Sequence, residues 1–242
     1  MALFSEASPT LTVGEIADRL HLPRSTAYRY VGALRAHRLL ETAPDGDGFR
    51  LGTMILELAA TMSRKPLREV AYPFLEQIAH ETGETVNLCG LRDHVGVCLE
   101  KVDGTHALRV AHELGDTYPL HAGATGKAIY AFLDPDEQRA ILEDIGLPRI
   151  TDTTITRISD LRAELKRIRA NGYSESRGES LEGTHGIAAP IFSPTGRVIA
   201  SIGASVPRHR AVGQNRERII GLVLEAAQSI TEGLNAQEVR ET

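Results

Sequence analysis

Two short helices that meet at a tight turn are encoded between residues 12 and 36, and this pattern restricts the N-terminal fold more than any other part of the sequence. Thr12 and Glu15 have the three-residue spacing of a capping box, which begins a helix. Pro23 marks the start of a second helix, because proline in a first turn leaves no backbone N–H unbonded. The apolar positions of the first helix fall on one face: Val13, Ile16, Ala17 and Leu20.

The second helix is apolar on its inward side and polar or small on its outward side. The inward residues are Ala27, Val31 and Leu34, and the outward residues are Ser25, Arg29, Gly32 and Ala36. From Pro23 to Arg38 the sequence contains four arginines and neither Asp nor Glu, within a chain whose net charge is −5. This segment is therefore locally basic in an acidic chain.

A β-hairpin is predicted directly after the second helix. Leu39-Leu40 and Phe49-Arg50-Leu51 flank two Asp-Gly pairs, Asp45-Gly46 and Asp47-Gly48, which favour tight hairpin turns. The order of two helices and a hairpin predicts a winged helix-turn-helix over residues 1–51. The acidic tip of this wing is not expected to enter a minor groove.

A helix of this kind fits the major groove of DNA, where arginine is the commonest reader of guanine. We expect Arg29 to contact a base, and its neighbours to contact phosphates, which position a protein without reading sequence. The candidate DNA-binding residues are Arg24, Ser25, Thr26, Tyr28, Arg29, Arg35 and, on the wing, Arg50. The alternative is a helical hairpin whose arginines only face water, and the hairpin that follows favours DNA binding.

The remainder of the chain predicts a linker helix over residues 52–66 and a larger α+β domain over residues 67–242. The linker is indicated by Ile55, Leu58, Ala59 and Met62 at helical spacing, and Pro66 ends it. The order helix, strands, helices, strands, helix is typical of an antiparallel sheet flanked by helices. Strands are predicted at Thr85 to Leu91, Val95 to Val102, Ala107 to Val110, Ile187 to Phe192 and Val198 to Val206. Helices are predicted from Leu67 to Gly83 with a kink or break at Pro73, from Gly123 to Leu133, from Pro135 to Ile145, from a cap at Ser159 to Asn171-Gly172, and around Ile219 to Ile230.

The sequence contains no recognisable motif for catalysis or metal binding. It has no HExxH motif, no GxSxG elbow and no close pair of histidines, so we expect no enzyme activity, no cofactor and no metal site. Cys89 and Cys98 lack CxxC spacing and are expected to be plain buried apolar residues. The run His121 to Ala128 departs from the phosphate-loop pattern at both ends, so we interpret Lys127 as a surface or capping residue.

The length allows two domains or one large one, and the composition is that of an ordinary globular protein. The chain has 242 residues, of which 42% are hydrophobic and 24% are charged. No apolar run approaches the roughly 18 residues of a membrane-spanning helix, and the N-terminus lacks the basic start and apolar centre of a signal peptide. A cytoplasmic location is therefore expected.

Four segments resemble the isocitrate-lyase-regulator (IclR) family of bacterial transcription factors. They are LTVGEIADRLHLPRSTAYRYVGALRAHRLLE, the wing with GFRLG and its following helix, PLHAGATGKAIYAFL, and GIAAPIFSPTGRVIASIGASVP. Their order and spacing extend the resemblance from about Leu11 to Leu234. It implies a winged helix-turn-helix, a linker helix and a GAF-like effector domain, and thus a transcription regulator, such as a repressor, whose binding to operator DNA responds to a small molecule.

The resemblance also implies partners and an effector site. Family members are usually homodimers, or homotetramers built as dimers of dimers, on palindromic operators, and their effectors are often organic or aromatic acids. The implied cavity lies against a helix start, whose backbone N–H groups bind carboxylates. The effector-binding residues carried over by position are Gly123, Ala124, Thr125, Gly126, Ser176, Glu179, Thr184, His185, Gly186, Gly203 and Ser205.

The sequence departs from the family pattern at two places. Some relatives have a hydroxyl side chain where Gly203 stands, so no single relative's ligand is carried over. Relatives also have a longer helix before the position of Leu11, which helps their DNA-binding domains to pair. In this sequence the corresponding segment is only Met1 to Ala7. The alternative function is a GAF-like small-molecule-binding enzyme or sensor whose N-terminal module has a partner other than DNA.

Overall fold

The computed structural model describes residues 3–5, 8–44, 46, 48–55, 57, 67–107 and 113–239. It divides into two compact units, Met1–Arg64 and Lys65–Thr242. The first unit contains the two predicted N-terminal helices and the hairpin. The second unit contains the α+β architecture that the sequence predicts.

The first unit begins with a helix that its own side chains cap. Helix α1 (Val13–Arg19) starts after Thr12, whose Oγ1 accepts a hydrogen bond from the Glu15 backbone N–H at 3.2 Å. Glu15 Oε2 accepts one in return from the Thr12 backbone N–H at 2.7 Å. Both bonds of the predicted capping box are therefore present. Helix α2 (Arg24–Ala36) follows a tight turn in which His21 has a φ of 53°.

The wing consists of two short antiparallel strands, β1 (Leu40–Thr42) and β2 (Phe49–Leu51), with Leu40 opposite Leu51. Residues from the N-terminal segment, both helices and β1 form one buried core: Leu11, Val13, Ile16, Ala17, Ala27, Val31 and Leu40. Asp45 and Asp47 at the predicted tip lie outside the described residues. So does most of the linker helix predicted over residues 52–66, which stays a prediction.

The second unit is built on a six-stranded antiparallel sheet with the strand order β5-β4-β3-β8-β7-β6. The strands are β3 (Thr85–Arg92), β4 (Val95–Val102), β5 (Thr117–Pro119), β6 (Ser174–Ser176), β7 (Thr184–Phe192) and β8 (Val198–Pro207). The helices are α3 (Leu67–Thr82), α4 (Ala124–Tyr130), α5 (Pro135–Ile145), α6 (Ile158–Asn171) and α7 (Gly213–Val239).

The two faces of this sheet carry different helices, because side chains alternate between the faces along each strand. Val86 and Leu88 of β3 point into the main core, where α3 and α7 pack. On the opposite face, Ala188 of β7 packs against Ala124 and Ala128 of α4. Helices α5 and α6 cover the far side of α4 through a second apolar cluster.

Two glycines allow α4 to lie close to the sheet. A Cβ atom on Gly203 would stand 2.8 Å from Cγ2 of Thr125, and one on Gly186 would stand 3.0 Å from Cβ of Ala124. A larger residue at either position would push the helix away from the strands. The small residues of β7 and β8 therefore set the height of α4 above the sheet.

Several predicted boundaries differ from the structure. Pro73 lies inside α3, which runs unbroken from Leu67 to Thr82. The helix predicted to extend to Leu133 ends at Tyr130, and α6 begins at Ile158, one residue before the predicted cap at Ser159.

The sequence predictions also lack the two edge strands of the sheet. Strands β5 and β6 have three residues each, too few to show an alternating pattern. Of the strand predicted at Ala107 to Val110, Ala107 lies in a bend and the other residues are outside the described part of the chain.

Candidate functional site

The outer face of α2 presents the predicted DNA-binding side chains to solvent. Ser25, Tyr28 and Arg29 are exposed, Tyr28 to 64% of its surface, whereas Ala27 and Val31 on the inner face are buried. The helix contains no acidic residue in its sequence from Arg24 to Ala36. An exposed, acid-free helix beside a short helix and a wing has the shape and charge that a major groove accepts.

The residues that flank this face are held to different degrees. Arg24 and Arg35 are exposed, and Thr26 is half-buried in the first turn of α2. The Arg35 guanidinium lies 5.6 Å from the centroid of the Phe49 ring, a contact that ties α2 to the wing. Arg35 is therefore oriented by packing as well as available to a phosphate.

Arg29 and Arg50 each have a neighbour in the free protein. The Arg29 guanidinium lies 5.9 Å from the centroid of the Tyr30 ring. Arg50, on the wing, is half-exposed and lies 3.5 Å from Glu41, so part of its charge is already neutralised. Arg50 would gain less than Arg29 from a phosphate, since it must share its charge with Glu41.

A cavity of about 280 Å³ opens in the second unit between the start of α4 and the sheet. This volume is close to the lower end for sites that enclose small organic ligands. Seven lining residues carry hydroxyl groups: Thr117, Tyr118, Thr125, Ser176, Ser180, Thr184 and Ser205. The other lining residues are Asp116, Ala122, Gly123, Ala124, Leu181, Gly186 and Ala204. Among these described residues, Asp116 is the only charged one, so the wall is polar but largely neutral.

The structure brings seven of the predicted effector residues together around this cavity: Gly123, Ala124, Thr125, Ser176, Thr184, Gly186 and Ser205. They come from α4, β6, β7 and β8, which are distant in sequence and adjacent in the sheet. Gly123 has a φ of 82°, and a Cβ there would stand 3.1 Å from the Ser180 hydroxyl oxygen. Glycine is therefore required at this point for both conformation and space.

Two other predicted effector residues are glycines used for packing. A Cβ on Gly126 would stand 3.0 Å from the Leu120 carbonyl oxygen, so Gly126 faces the preceding loop. Gly203 lies beneath Thr125, whose methyl group is 2.8 Å from where a Cβ of residue 203 would stand. Neither residue is part of the cavity wall.

The remaining two, Glu179 and His185, do not line the cavity and bind other side chains. Glu179 binds the ammonium group of Lys127. His185 Nε2 lies 3.2 Å from Oε1 of Glu175. The Arg216 guanidinium donates to both oxygens of the same carboxylate, to Oε1 at 2.6 Å and to Oε2 at 2.8 Å. These contacts tie together the segments beside the cavity, and none of these residues lines it.

Sequence reasoning missed Asp116, Thr117, Tyr118, Ser180 and Leu181 in the wall. Tyr118 stands on the three-residue strand β5 and faces the cavity because Tyr118 pairs with Gly96 of β4. No motif or periodicity marks these positions. The pairing of β5 with β4 brings Thr117 and Tyr118 to the cavity, whereas Ser180 and Leu181 reach it from the segment between β6 and β7.

Tyr118 and Thr125 meet at the cavity wall. The Thr125 hydroxyl donates to the Tyr118 hydroxyl oxygen over 3.5 Å. Burial raises the pKa of Tyr118 well above its ordinary value of 10. The phenol therefore stays neutral and keeps a proton that it can donate to a ligand.

Lys127 is not the surface or capping residue that the sequence predicts. It is completely buried, and its Nζ donates to Oε1 of Glu179 at 2.6 Å, to the Glu175 carbonyl at 2.8 Å and to Oε1 of Glu164 at 2.9 Å. The prediction is wrong because α6 and the segment around Glu175 cover α4. A buried ammonium group is tolerated there only because acceptors surround it.

Glu164 and Glu179 offset the charge of Lys127, and none of these three residues lines the cavity. Burial acts to raise the pKa of Glu164, but hydrogen bonds from Arg167 and Lys127 outweigh it and lower this pKa. Burial raises the pKa of Glu179 despite the attraction of Lys127. Helix α4 has only seven residues, so its dipole is also small. An acidic ligand would therefore rely on hydroxyl and backbone donors.

Two kinds of feature are absent from the part of the chain that the structure describes. No group of three or more His, Cys, Asp or Glu side chains there could hold a metal ion. None of the helices among these residues combines the length and apolar composition that crossing a bilayer requires.

Two family descriptions match the sequence. Residues 59–232 match the family described as bacterial transcriptional regulator IclR C-terminal, and residues 1–44 match the IclR helix-turn-helix domain. Among similar proteins, the HTH-type transcriptional regulator BhcR of Paracoccus denitrificans (strain Pd 1222) is 33% identical over 94% of this chain and 82% of its own length. The HTH-type transcriptional regulator KdgR of Escherichia coli (strain K12) is 29% identical over 90% of this chain and 84% of its own length.

Solved structures share the architecture. An IclR homolog from Microbacterium hydrocarbonoxydans, in complex with 4-hydroxybenzoate, has a TM-score of 0.81 and 31% identity, covering 97% of this chain and 95% of that chain. An IclR transcriptional regulator from Silicibacter sp. TM1040 has a TM-score of 0.83 and 25% identity, covering 97% of this chain and 92% of that chain.

Proposed function

The chain belongs to the IclR family of bacterial transcriptional regulators, and on that premise we propose that a small organic or aromatic acid in its cavity sets its affinity for an operator. It is a DNA-binding regulator and not an enzyme, so the alternative of a GAF-like enzyme is set aside. The observation that carries the proposal is the pairing of an exposed, acid-free α2 in one unit with a hydroxyl-lined cavity in the other.

We assign the DNA contacts by their chemistry. Arg29 reads a base, because it projects from the middle of the outer face of α2. Arg24, Ser25, Thr26, Tyr28 and Arg35 contact the backbone on either side of it, and Arg50 contacts a phosphate from the wing. The exposure of Ser25 and Arg29 supports this assignment, since burial of either would prevent contact with a duplex.

The class of effector follows from the wall of the cavity. A carboxylate would accept hydrogen bonds from the hydroxyls of Ser176 and Ser205 and from the neutral phenol of Tyr118, whose oxygen accepts from Thr125. Ala122, Ala124 and Leu181 supply apolar contact for a small carbon skeleton. The 4-hydroxybenzoate in the Microbacterium relative supports an aromatic acid as the first compound to test.

We further propose that the protein acts in the cytoplasm as a homodimer or a dimer of dimers. A single helix-turn-helix reads one half-site, and two-fold pairing allows a palindromic operator to be read in two successive grooves. Light scattering of the purified protein, with and without an operator fragment, tests this assembly. A monomer on DNA at saturating concentration would overturn it.

DNA binding is tested with a fragment from beside the protein's own gene. We expect affinity for this fragment to exceed affinity for random DNA at physiological salt, and to fall with a log-log salt slope that reflects several phosphate contacts. Equal affinity for the two fragments would remove the operator from the proposal.

The effector is tested separately by thermal shift against a panel of organic and aromatic acids. A ligand at about 100 times its dissociation constant should add about 2.7 kcal/mol to the free energy of unfolding. A hit that also changes operator affinity supports the whole proposal. A hit that leaves operator affinity unchanged would separate the cavity from DNA control, and no shift from any acid would overturn the proposed ligand class.

A further inference from the structure

Cys89 on β3 and Cys98 on β4 are direct cross-strand partners in the central sheet. Both are free thiols and both are buried. Their separation in sequence does not suggest a pair. The two cysteines lie opposite each other because the hairpin between them turns after Arg92, which pairs with Val95.

The backbone bonds of Cys98 show what kind of pair this is. Its N–H donates to the Asp116 carbonyl at 2.9 Å, and its carbonyl accepts from the Gly115 N–H at 2.9 Å. Cys98 therefore directs its backbone groups away from β3, and the two cysteines form a non-hydrogen-bonded pair. Cα atoms in such pairs lie about 4.5 Å apart. This lies at the lower end of the roughly 4.4–6.8 Å that a disulfide spans, and the register irregularity between Leu88 and Cys89 lies directly beside the pair.

The two thiols are also chemically unequal. Cys89 is fully buried, and its sulfur accepts a hydrogen bond from Nδ2 of Asn87 at 3.3 Å. Burial raises the pKa of Cys89, whereas a hydrogen bond from Cys89 lowers the pKa of Cys98. Cys98 is thus the thiol that more readily becomes the thiolate nucleophile, and Cys89 is placed to resolve it.

We propose that Cys89 and Cys98 are a site of reversible oxidation, at which a peroxide drives formation of a disulfide across β3 and β4. In the first step the Cys98 sulfur attacks the peroxide O–O bond, which gives a sulfenic acid and releases water. In the second step the Cys89 thiol attacks the sulfenic sulfur, so that the S–S bond forms and a second water leaves. Two thiols and one hydrogen peroxide thus yield one disulfide and two waters, and thiol exchange reverses the reaction.

The position of Cys89 connects this site to the ligand cavity. Cys89 pairs on its other side with Ser201 of β8, whose hydroxyl donates to the Thr125 carbonyl at 3.0 Å. Hydrogen bonds from Tyr118 and Thr125 also act to lower the pKa of Cys89 against its burial, and both of these residues line the cavity. Closing the disulfide turns the Cys89 sulfur toward Cys98 and away from these donors, so the cavity wall loosens. This consequence rests on the proposed function, whereas formation of the disulfide does not.

The test treats the full-length protein with hydrogen peroxide and follows its intact mass. We expect a loss of two hydrogens, disappearance of both thiols titrated in denaturant, and a peptide that links Cys89 to Cys98 until dithiothreitol is added. In the Cys89→Ser variant, Cys98 should instead be trapped as a sulfenic acid by dimedone. Retention of both thiols, or oxygen addition without a linked peptide in the wild-type protein, would overturn the proposal.

The link to the cavity is measured on the same samples by hydrogen exchange. We expect faster exchange in residues 117–125 of the oxidised protein, and no such change when Cys98→Ser is treated identically. This readout needs no ligand, so it stands even if the effector screen fails. A disulfide that forms without altering exchange in this segment would refute the coupling and leave only the oxidation site.

Discussion

The buried ammonium group of Lys127 lies 2.6 Å from Oε1 of Glu179, the residue that directly precedes Ser180 in the cavity wall. Replacing Lys127 with Met should lower the free energy of unfolding of the second unit by about 3–5 kcal/mol, because the buried Glu179 would lose its cation and Glu164 would keep only Arg167. Urea unfolding measures the loss. Lys166, exposed on α6, provides the matched control, and Lys166→Met should stay within about 0.5 kcal/mol of the wild type.

A second variant distinguishes loss of charge from loss of packing. In Lys127→Met with Glu179→Leu, one buried carboxylate is removed together with the cation, so part of the stability should return. If the double variant is as unstable as the sum of the two single variants, the ion pair is not what Lys127 contributes.

Arg29→Ala should weaken operator binding by about 1–3 kcal/mol while leaving the thermal stability of the protein unchanged, because the side chain is exposed. Fluorescence anisotropy with operator and random fragments measures both affinities. The loss should be confined to the operator, whereas Arg24→Ala should weaken both fragments alike and reduce the salt slope by about 1. Arg162→Ala, an exposed arginine on α6, controls for net charge. Equal losses on both fragments for Arg29→Ala would assign Arg29 to a phosphate.

Acid should destabilise the second unit before its carboxylates titrate. Burial lowers the pKa values of His121 and His185 below their ordinary 6.5. Below about pH 6.5 the unfolded chain therefore binds more protons than the folded protein does. The stability that these histidines contribute above that pH is lost as the pH falls through their folded-state pKa values. Each histidine can contribute a slope of at most about 1.4 kcal/mol per pH unit.

Chemical denaturation between pH 7.5 and 5.5 measures how the free energy of unfolding changes with pH. This range brackets the ordinary histidine pKa of about 6.5. Glu179 acts in the opposite direction, since its raised pKa lets the folded state take up a proton. His121→Gln should flatten the profile while keeping a donor for the Pro148 carbonyl, which His121 Nε2 now binds at 3.0 Å. His209→Gln, at an exposed position, should leave the pH profile unchanged. Identical slopes for the wild type and His121→Gln would contradict the role of His121.

The exposed outer face of α2 could be predicted from sequence because its determinants are local. The spacing of Ala27 and Val31 fixes which side of α2 is buried, and this leaves Ser25 and Arg29 outside. The capping box at Thr12 likewise acts within one helical turn. Such signals survive in a single sequence since they do not depend on distant partners.

The cavity could be predicted only in part, because its wall is assembled by strand pairing. Tyr118 reaches it through the register of β5 on β4, and Cys89 meets Cys98 through the register of β3 on β4. Lys127 is buried because Glu164 and Glu179 lie far along the chain and close in space. None of these contacts leaves a periodic pattern, so single-sequence reasoning missed them.

Ser205→Phe should abolish the thermal shift given by any acid that binds the cavity. Ser205 stands on β8 opposite Gly186, and both residues line the cavity, so a phenyl ring would fill the space. The same replacement at Thr195, in the exposed turn between β7 and β8, should leave the shift intact. A shift that persists in Ser205→Phe would move the ligand to another place on the molecule.

Gly203→Ser should destabilise this protein. A Cβ at Gly203 would stand 2.8 Å from Cγ2 of Thr125 and 2.9 Å from Cβ of Ala188, so α4 would have to shift away from the sheet. Overpacking of this kind costs about 1–3 kcal/mol. Urea unfolding of the single variant measures that loss.

The partner substitution identifies the cause. Thr125→Ala removes the methyl group that a new Cβ at Gly203 would strike, so Gly203→Ser with Thr125→Ala should show a favourable coupling of at least about 0.5 kcal/mol. Thr125→Val retains that methyl group while removing the hydroxyl, and it should give no rescue. Rescue by both would trace the strain to the hydroxyl of Thr125 and its bond to Tyr118. Rescue by neither would place the strain at Ala188, in which case the choice of glycine here is dictated by β7 and not by α4.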